Sequence, residues 1–270
     1  MTDHESLSTV HALVIDMDGV LWRGETPLPG LNAFFDLLQE RDIRFILATN
    51  NASKTPEQYL GKLKRFGVDI ERDKILTSSL VTAAYLQAQL PPGAPVHVLG
   101  EEGLRRAVEE AGFALRQDHE GPVEAVVVGI DFSLTYEKLK RATLFIRAGA
   151  RFIGTNPDRT LPIEGGLAPG TGAILVALET ATDVKPTVIG KPGPIMFQHA
   201  LQQMQANLVH TAMLGDRLET DIAGGHSAGM RTILVLSGAS RREDLARARV
   251  QPTWIFSHIE ELTRKWASSS

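Results

Sequence analysis

The chain contains no cysteine, which excludes disulfide bonds, thiolate metal sites and a cysteine nucleophile. It also has no apolar run near the ~20 residues that a membrane-spanning helix needs, so we expect no association with a membrane. Residues 1–9 are polar and unlike a secretory signal. Together with the lack of cysteine, this favours the reducing cytoplasm as the compartment.

Basic residues are in slight deficit, because 28 Lys and Arg face 32 Asp and Glu and give a net charge of −4. This balance argues against a general nucleic-acid surface. The hydrophobic fraction of 43% and the charged fraction of 22% are ordinary for a globular protein. A chain of 270 residues can form one large domain or two modest ones.

Short apolar runs alternate with helical stripes, a pattern typical of α/β proteins with parallel sheets. We predict buried strands at residues 11–16, 43–49, 96–99, 125–129, 151–154, 187–189, 212–215, 232–236 and 254–256. Turn-rich segments at 91–95 and 183–186 divide the chain. We therefore expect residues 1–80 and 187–270 to form one core, with residues 81–186 inserted as a second α/β domain.

Two aspartates, Asp16 and Asp18, directly follow the first predicted strand. An open parallel sheet places its reactive groups past the carboxyl ends of its strands. Two crowded carboxylates are costly there unless they hold a cation or take part in chemistry. The alternative is a strand end followed by an ordinary Asp-Gly turn.

The second predicted strand ends in Thr49, Asn50 and Asn51. A hydroxyl, a carboxamide and exposed backbone N–H groups at a strand end can cradle a phosphate. The alternative is a helix cap, formed by Asn51 or Ser53, for a helix that begins near Pro56. Both functions use the same unpaired N–H groups and can coexist.

Two later strand ends also carry charged residues. Lys191 stands between glycine and proline on a rigid turn, which suits a fixed positive charge aimed at phosphate oxygens. Asp216 ends another strand, and Asp221 follows shortly after it. Such oxygen ligands favour a hard cation, most readily Mg²⁺. Asp216 is the better ligand, whereas Asp221 could be a ligand, a group that orients ligands, or a helix cap.

Together these segments resemble the four motifs of the haloacid dehalogenase (HAD) superfamily in type and order. The matching segments are Asp16-x-Asp18-Gly19-Val20, Thr49-Asn50-Asn51, Lys191-Pro192, and Gly215-Asp216 followed by Asp221. Within the insertion, two segments are similar to the NagD-like phosphatases, which include p-nitrophenyl and pyridoxal phosphatases: Gly154-Thr155-Asn156-Pro157-Asp158 and Pro169-Gly170-Thr171-Gly172. The resemblance implies a Rossmann-like parallel-sheet core with an inserted α/β cap of class IIA.

The resemblance further implies a Mg²⁺-dependent phosphatase for small phosphomonoesters, such as sugar phosphates or nucleoside monophosphates. Asp16 would be the nucleophile that forms an aspartyl-phosphate, and Asp18 would be the general acid and base. Mg²⁺ would be held by the carboxylates of Asp16 and Asp216 and by the backbone carbonyl of Asp18. Asp221 would orient these ligands.

Binding of the substrate is also implied by the resemblance. Thr49, Lys191 and the backbone N–H groups of Asn50 and Asn51 would stabilise the phosphoryl oxygens. Arg159 falls near a position that faces the substrate in pyridoxal phosphatases, where an arginine could bind a carboxylate, a second phosphate or a sugar hydroxyl. A surface arginine in a cap turn is the alternative.

Several expectations stay open at this point. A phosphotransferase would use the same intermediate, and a sensor would bind a phosphorylated metabolite without turnover. Trp22 and Arg23 could contact the leaving group or pack within the segment after Asp18. Caps of this kind often dimerise in the family, so a homodimer through the cap is a further expectation, although no exposed stripe in the sequence argues for it independently.

Overall fold

The computed structural model describes residues 6–117, 121–163 and 165–269, which form two compact units. Among these residues, the first unit consists of 6–49, 60–76 and 191–269, and the second of 50–59 with the remainder of 77–190. In the described residues, both large sheets are parallel and alternate with helices, which confirms the expected α/β class. No helix in the described ranges is long and apolar enough to cross a membrane.

The secondary structure of the described residues follows the alternation expected from the sequence. The strands are β1 (Ala12–Ile15), β2 (Trp22–Arg23), β3 (Thr26–Pro27), β4 (Arg44–Thr49), β5 (Ile75–Thr77), β6 (Pro95–Leu99), β7 (Ala114–Leu115), β8 (Ala125–Val128), β9 (Arg151–Gly154), β10 (Thr160–Ile163), β11 (Gly166–Pro169), β12 (Thr187–Val188), β13 (Thr211–Gly215), β14 (Arg231–Val235) and β15 (Trp254–Phe256). The α-helices are α1 (Leu31–Glu40), α2 (Pro56–Arg65), α3 (Ser78–Gln89), α4 (Glu102–Glu110), α5 (Tyr136–Arg147), α6 (Thr171–Thr182), α7 (Pro194–Met204), α8 (Ala223–Ser227) and α9 (Ile259–Ala267).

The sheet of the first unit has the strand order β15-β14-β13-β1-β4-β5. Strand β1 pairs in parallel with β4 and β13, and its Ile15 is level with Leu47 and Leu214. All four residues of β1 are buried, as an apolar strand at the centre of a covered parallel sheet must be. The carboxyl ends of β1, β4 and β13 therefore meet at one edge, where the predicted reactive groups follow.

The second unit has its own parallel sheet, with the order β12-β9-β8-β6-β7. Helices α5 and α6 pack against β8, and residues such as Val126, Phe145 and Leu175 form their shared apolar core. An antiparallel hairpin of β10 and β11 also belongs to this unit. Each predicted strand is found, within a residue or two of its expected ends.

Some elements escape prediction because their signals are short. Strands β2, β3 and β7 have only two residues each and β5 only three, too few for a periodic pattern. Helix α2 begins at Pro56 as expected, but its cap is neither Asn51 nor Ser53. Instead, the Thr55 hydroxyl accepts from the N–H of Gln58, and the Gln58 side chain accepts from the N–H of Thr55.

The division of the chain differs from the expected bounds at residues 50–59, 77–80 and 187–190, which the sequence places with the core but which all belong to the second unit. Strand β12 pairs there with β9, so the predicted strand at 187–189 is not part of the core sheet. For residues 50–59 the reason is hydrogen bonding, because the carbonyl of Asn50 accepts from Ser78 Oγ at 2.7 Å and from Asn156 Nδ2 at 2.8 Å. The carbonyl of Ala52 likewise accepts from Ser79 Oγ at 3.0 Å.

Candidate active site

Lys191 and Asp16 form the centre of the candidate site in the first unit. Asp16 directly follows β1, and its N–H donates to the carbonyl of Leu214 in β13 at 2.8 Å. The Nζ atom of Lys191 lies 2.5 Å from Oδ1 of Asp16 and donates to the carbonyl of Ala48 in β4 at 3.1 Å. The lysine is 2% exposed and Asp16 is 13% exposed. The first unit thus brings together residues far apart in the chain. Lys191 follows β12 of the other sheet, so the expectation that it follows a strand of this sheet is wrong.

Asp221 lies on the other side of the lysine. Its Oδ1 is 2.8 Å from Lys191 Nζ, and its Oδ2 accepts from the backbone N–H groups of Asp216 and Arg217 at 3.2 and 3.1 Å. Asp221 lies within the helical segment Leu218–Ile222, whose N-cap residue is Arg217, so Asp221 is not itself the N-cap residue. Asp221 instead fixes both the lysine and the turn that carries Asp216.

Asp216 follows β13 and is held by the loop after β14. Its Oδ2 accepts from the N–H of Ala239 at 2.6 Å, and its carbonyl accepts from the N–H of Ser240 at 3.0 Å. The backbone of Gly238 lies so close that no side chain could fit between it and this carboxylate. The other oxygen, Oδ1, is buried and has no hydrogen-bond partner among the described residues.

Burial and mutual repulsion shape the protonation of this cluster. Burial raises the pKa of Asp16 well above its ordinary value, Lys191 opposes the rise, and the carboxylates of Asp221 and Asp216 add to it. Burial also raises the pKa of Asp216 to about 6, with repulsion from Asp221 as a further cause. Burial alone would lower the pKa of Lys191, but Asp16 and Asp221 outweigh it and raise that pKa. The lysine is therefore a firmly held cation.

The donor set fits a hard divalent cation. One carboxylate oxygen from each of Asp16, Asp216 and Asp221 lies within 4.8 Å of the others. Three carboxylates exceed the charge of a single ammonium, and buried anionic charge is costly unless it is paired. The Oδ1 atom of Asp216, which has no hydrogen-bond partner among the described residues, is a candidate metal ligand, since carboxylate oxygens suit Mg²⁺.

Asp18 differs from Asp16 in its surroundings. Its side chain is exposed, and its Oδ1 accepts from the indole N–H of Trp22 at 2.7 Å. Trp22 is fully buried, so it packs within the segment after Asp18, whereas Arg23 donates from Nε to the carbonyl of Ser237 at 2.6 Å. Thr49 is buried at the end of β4, on the same sheet edge as Asp16.

The remaining predicted residues belong to the second unit. The carboxamide of Asn50 donates to the carboxylate of Asp158 at 3.3 and 3.4 Å, and the Asn51 side chain accepts from Ser53 N at 2.9 Å. Arg159 is exposed and lies in the chain between Asp158 and the first residue of β10. Their predicted contacts with substrate stay predictions.

Sequence reasoning missed the loop that holds Asp216. Ala239 acts through its backbone N–H, which leaves no trace in side-chain type. The available signal was the run of small residues Ser237-Gly238-Ala239-Ser240 directly after a predicted strand. Such a run allows backbone to approach a carboxylate closely.

Comparison with known proteins gives matches over both parts of the chain. A model described as haloacid dehalogenase-like hydrolase matches residues 13–114, and one described as HAD-hydrolase-like matches residues 188–262. The acid sugar phosphatase of Staphylococcus aureus is 42% identical over 250 residues, which cover 93% of this chain and 95% of that protein.

Two solved structures are similar over nearly their whole length. The 4-nitrophenylphosphatase from Thermotoga maritima is 36% identical with a TM-score of 0.90, and the match covers 96% of this chain and 98% of that chain. NagD from E. coli K-12 is 33% identical with a TM-score of 0.85, covering 93% and 98% respectively.

Proposed function

The chain belongs to the haloacid dehalogenase-like hydrolases, in their NagD-like branch, and we propose that it hydrolyses small phosphomonoesters in a Mg²⁺-dependent reaction. The observation that carries this proposal is the placement of Lys191 Nζ between Asp16 and Asp221, 2.5 Å from one and 2.8 Å from the other. A buried ammonium beside a strand-end carboxylate is a fixed positive charge for a transferring phosphoryl group.

The reaction that suits this geometry has two steps. A carboxylate oxygen of Asp16 forms a bond to phosphorus while the bond from phosphorus to the leaving oxygen breaks, and Asp18 gives its proton to that oxygen. Asp18 then takes a proton from water, whose oxygen attacks phosphorus and releases phosphate. This second step restores the carboxylate of Asp16 and the proton of Asp18.

The metal would be held by the carboxylates of Asp16 and Asp216 and the backbone carbonyl of Asp18, with Asp221 orienting that set. When bound, Mg²⁺ reduces the repulsion between a phosphate dianion and an attacking carboxylate. Lys191 adds positive charge, and Thr49 adds a hydroxyl from the same edge. We also retain Asn50 and Asn51 as predicted donors of backbone N–H groups to the phosphoryl oxygens.

For the substrate we propose a phosphorylated small metabolite, with sugar phosphates as the first class to test. The proposal is supported by the names of two relatives, an acid sugar phosphatase and a 4-nitrophenylphosphatase. We propose the second unit as the cap that selects the substrate, with Arg159 as its candidate contact. Arg159→Met should then raise KM for those phosphomonoesters that Arg159 contacts and leave KM and kcat for the others unchanged.

The first test is phosphate release from a panel of phosphomonoesters, including p-nitrophenyl phosphate, with Mg²⁺ and with EDTA. We expect release only with Mg²⁺. Added alcohols separate a phosphatase from a phosphotransferase, since a phosphotransferase would form new phosphate esters at the expense of free phosphate. Binding without release from any substrate would favour the sensor.

The second test replaces the nucleophile. Asp16→Asn should abolish steady-state hydrolysis and leave the fold intact. The control Asp69→Asn, at an exposed site of the same unit, should leave the rate of hydrolysis unchanged. Acid quench of the wild-type protein with labelled substrate should trap phosphate on Asp16. Hydrolysis retained by Asp16→Asn, after mass spectrometry has excluded deamidation, would refute the assignment.

A further inference from the structure

A fully buried tryptophan holds the exposed carboxylate of Asp18. The indole N–H of Trp22 donates to Oδ1 of Asp18 at 2.7 Å, while the N–H of Gly19 donates to the carbonyl of Trp22 at 2.8 Å. The short segment between Asp18 and Trp22 is thus closed by one backbone and one side-chain hydrogen bond. The second oxygen of Asp18 takes no part in the hydrogen bond to the indole.

The indole itself is fixed from several sides. Lys62 Nζ lies 4.5 Å from the centre of the Trp22 ring and donates to the carbonyl of Gly24 at 2.6 Å. The same ammonium is 3.5 Å from a carboxylate oxygen of Glu25, and the ring of Phe66 packs 6.1 Å from that of Trp22. Lys62 is itself buried, so this cation–π contact is shielded from water and the indole has little freedom to move.

The segment is also tied to the loop that holds Asp216. Ser237 Oγ donates to the carbonyl of Gly19 at 2.7 Å, and Arg23 Nε donates to the carbonyl of Ser237 at 2.6 Å. Asp18 therefore stands on a turn that is anchored at both ends. An exposed aspartate on a free turn would instead sample many rotamers.

We propose that Trp22 is a positioning residue, which holds one oxygen of Asp18 so that the other is presented to the leaving group. This inference rests on the proposed function, in which Asp18 gives its proton to the leaving oxygen as the P–O bond breaks. A carboxyl group held by one donor keeps its second oxygen in a narrow range of positions. That restriction favours proton transfer, which requires hydrogen-bond contact with the leaving oxygen.

A purely structural role makes a different prediction. If the hydrogen bond only satisfied a buried indole N–H, its loss would weaken folding and lower activity on every substrate alike. If Trp22 positions the proton donor, its loss must depend on the leaving group. Alkyl phosphates release a weakly acidic alcohol and need the proton, whereas dinitrophenyl phosphate releases a stable phenolate and does not.

The experiment compares kcat/KM of the full chain, with Mg²⁺, on a sugar phosphate or another alkyl phosphate, on p-nitrophenyl phosphate and on dinitrophenyl phosphate. The test variant is Trp22→Phe. The matched control is Trp266→Phe, which shortens another buried tryptophan of the same unit, in α9. For Trp22→Phe we expect a loss of about tenfold or more on alkyl phosphates, within the range of general-acid effects, and less than about twofold on dinitrophenyl phosphate.

A second variant guards against misfolding. Benzothienylalanine introduced at position 22 keeps the bicyclic shape and replaces the N–H with sulfur, so it should reproduce the leaving-group dependence with an intact core. In an Asp18→Asn background, Trp22→Phe should add no further dependence on the leaving group, because both changes remove the same function, which is proton donation to the leaving oxygen.

The outcomes separate the two proposals. Equal loss on all substrates, or a loss no greater than that of Trp266→Phe, would overturn the positioning role while the proposed phosphatase activity stands. Failure of the wild-type protein to hydrolyse any phosphomonoester would overturn the proposed function and this inference with it.

Discussion

The backbone of Gly238 lies against the carboxylate of Asp216, so that a Cβ atom at position 238 would overlap Oδ2 of that carboxylate. The loop after β14 thus approaches Asp216, at the end of β13, too closely for any side chain at position 238. The N–H of Ala239, next in the loop, donates to the same oxygen. This contact leaves the other oxygen of Asp216 for a metal.

Gly238→Ala should therefore displace either Asp216 or the loop. We expect kcat with Mg²⁺ to fall by about 100-fold, the order of loss that a displacement of about 1 Å in a reacting group can cause. Gly61→Ala is the matched control, because a Cβ atom there meets nothing within 4 Å. It should retain activity and stabilise α2 by up to about 1 kcal/mol. Wild-type kinetics in Gly238→Ala would contradict the assigned role of this contact.

Asp221→Asn should destabilise the first unit even without metal. Both oxygens of Asp221 face donors, namely Lys191 and two backbone N–H groups, and an asparagine must turn its NH₂ group towards one of them. We expect a loss of about 2 kcal/mol in the free energy of unfolding. Urea unfolding in EDTA measures it, with Asp69→Asn as control. Equal stability of the two variants would argue against this role.

Mg²⁺ should stabilise the folded protein independently of any turnover. A ligand that binds only the native state, at 100 times its Kd, adds about 2.7 kcal/mol. We expect the unfolding midpoint to rise with Mg²⁺ but not with KCl at the same ionic strength. In Asp216→Asn the rise should be lost, since its buried Oδ1 is the proposed ligand atom. An unchanged rise in that variant would place the metal elsewhere.

The free energy of unfolding should depend on pH in the acid range through Asp131 in the second unit. Burial acts to raise the pKa of Asp131, but hydrogen bonds from Lys138 and Ser133 outweigh it and lower the pKa below its ordinary value of 3.8. Because the folded pKa is lowered, the contribution is complete above the ordinary value and is lost as pH falls through the folded one. Asp131→Asn should cost about 1–2 kcal/mol at pH 7.

The difference between the wild-type protein and Asp131→Asn should then begin to shrink as pH falls below 3.8, where the unfolded chain takes up a proton, and should be lost once pH falls below the lower pKa of the folded state. Denaturant unfolding across the acid range measures this difference. A constant difference down to the lowest pH at which the protein folds would contradict the assignment.

The sequence was sufficient for the elements with strong local patterns. Apolar runs such as 11–16 and 43–49 specify buried strands, and the strand ends put Asp16, Thr49 and Asp216 at one edge, because parallel strands align their carboxyl ends. The fold class and the family motifs followed from that arrangement. Lys191 was not placed in this way, since it follows β12, which pairs with β9 in the other sheet.

Strands β2, β3, β5 and β7 were too short for a periodic pattern. The segment 50–59 was not predicted either, since its hydrogen bonds to Ser78, Ser79 and Asn156 depend on tertiary structure.

What the sequence by itself determined was which side chains could do the chemistry and, for Asp16, Thr49 and Asp216, at which edge of the sheet they stand. Only the tertiary structure decided how they are held. Lys191 lies between two carboxylates, the loop after β14 fixes Asp216, and the indole of Trp22 binds Asp18. The physical reason is that these contacts depend on distance and direction in space, and the contact to Asp216 uses a backbone N–H group, which every residue except proline offers.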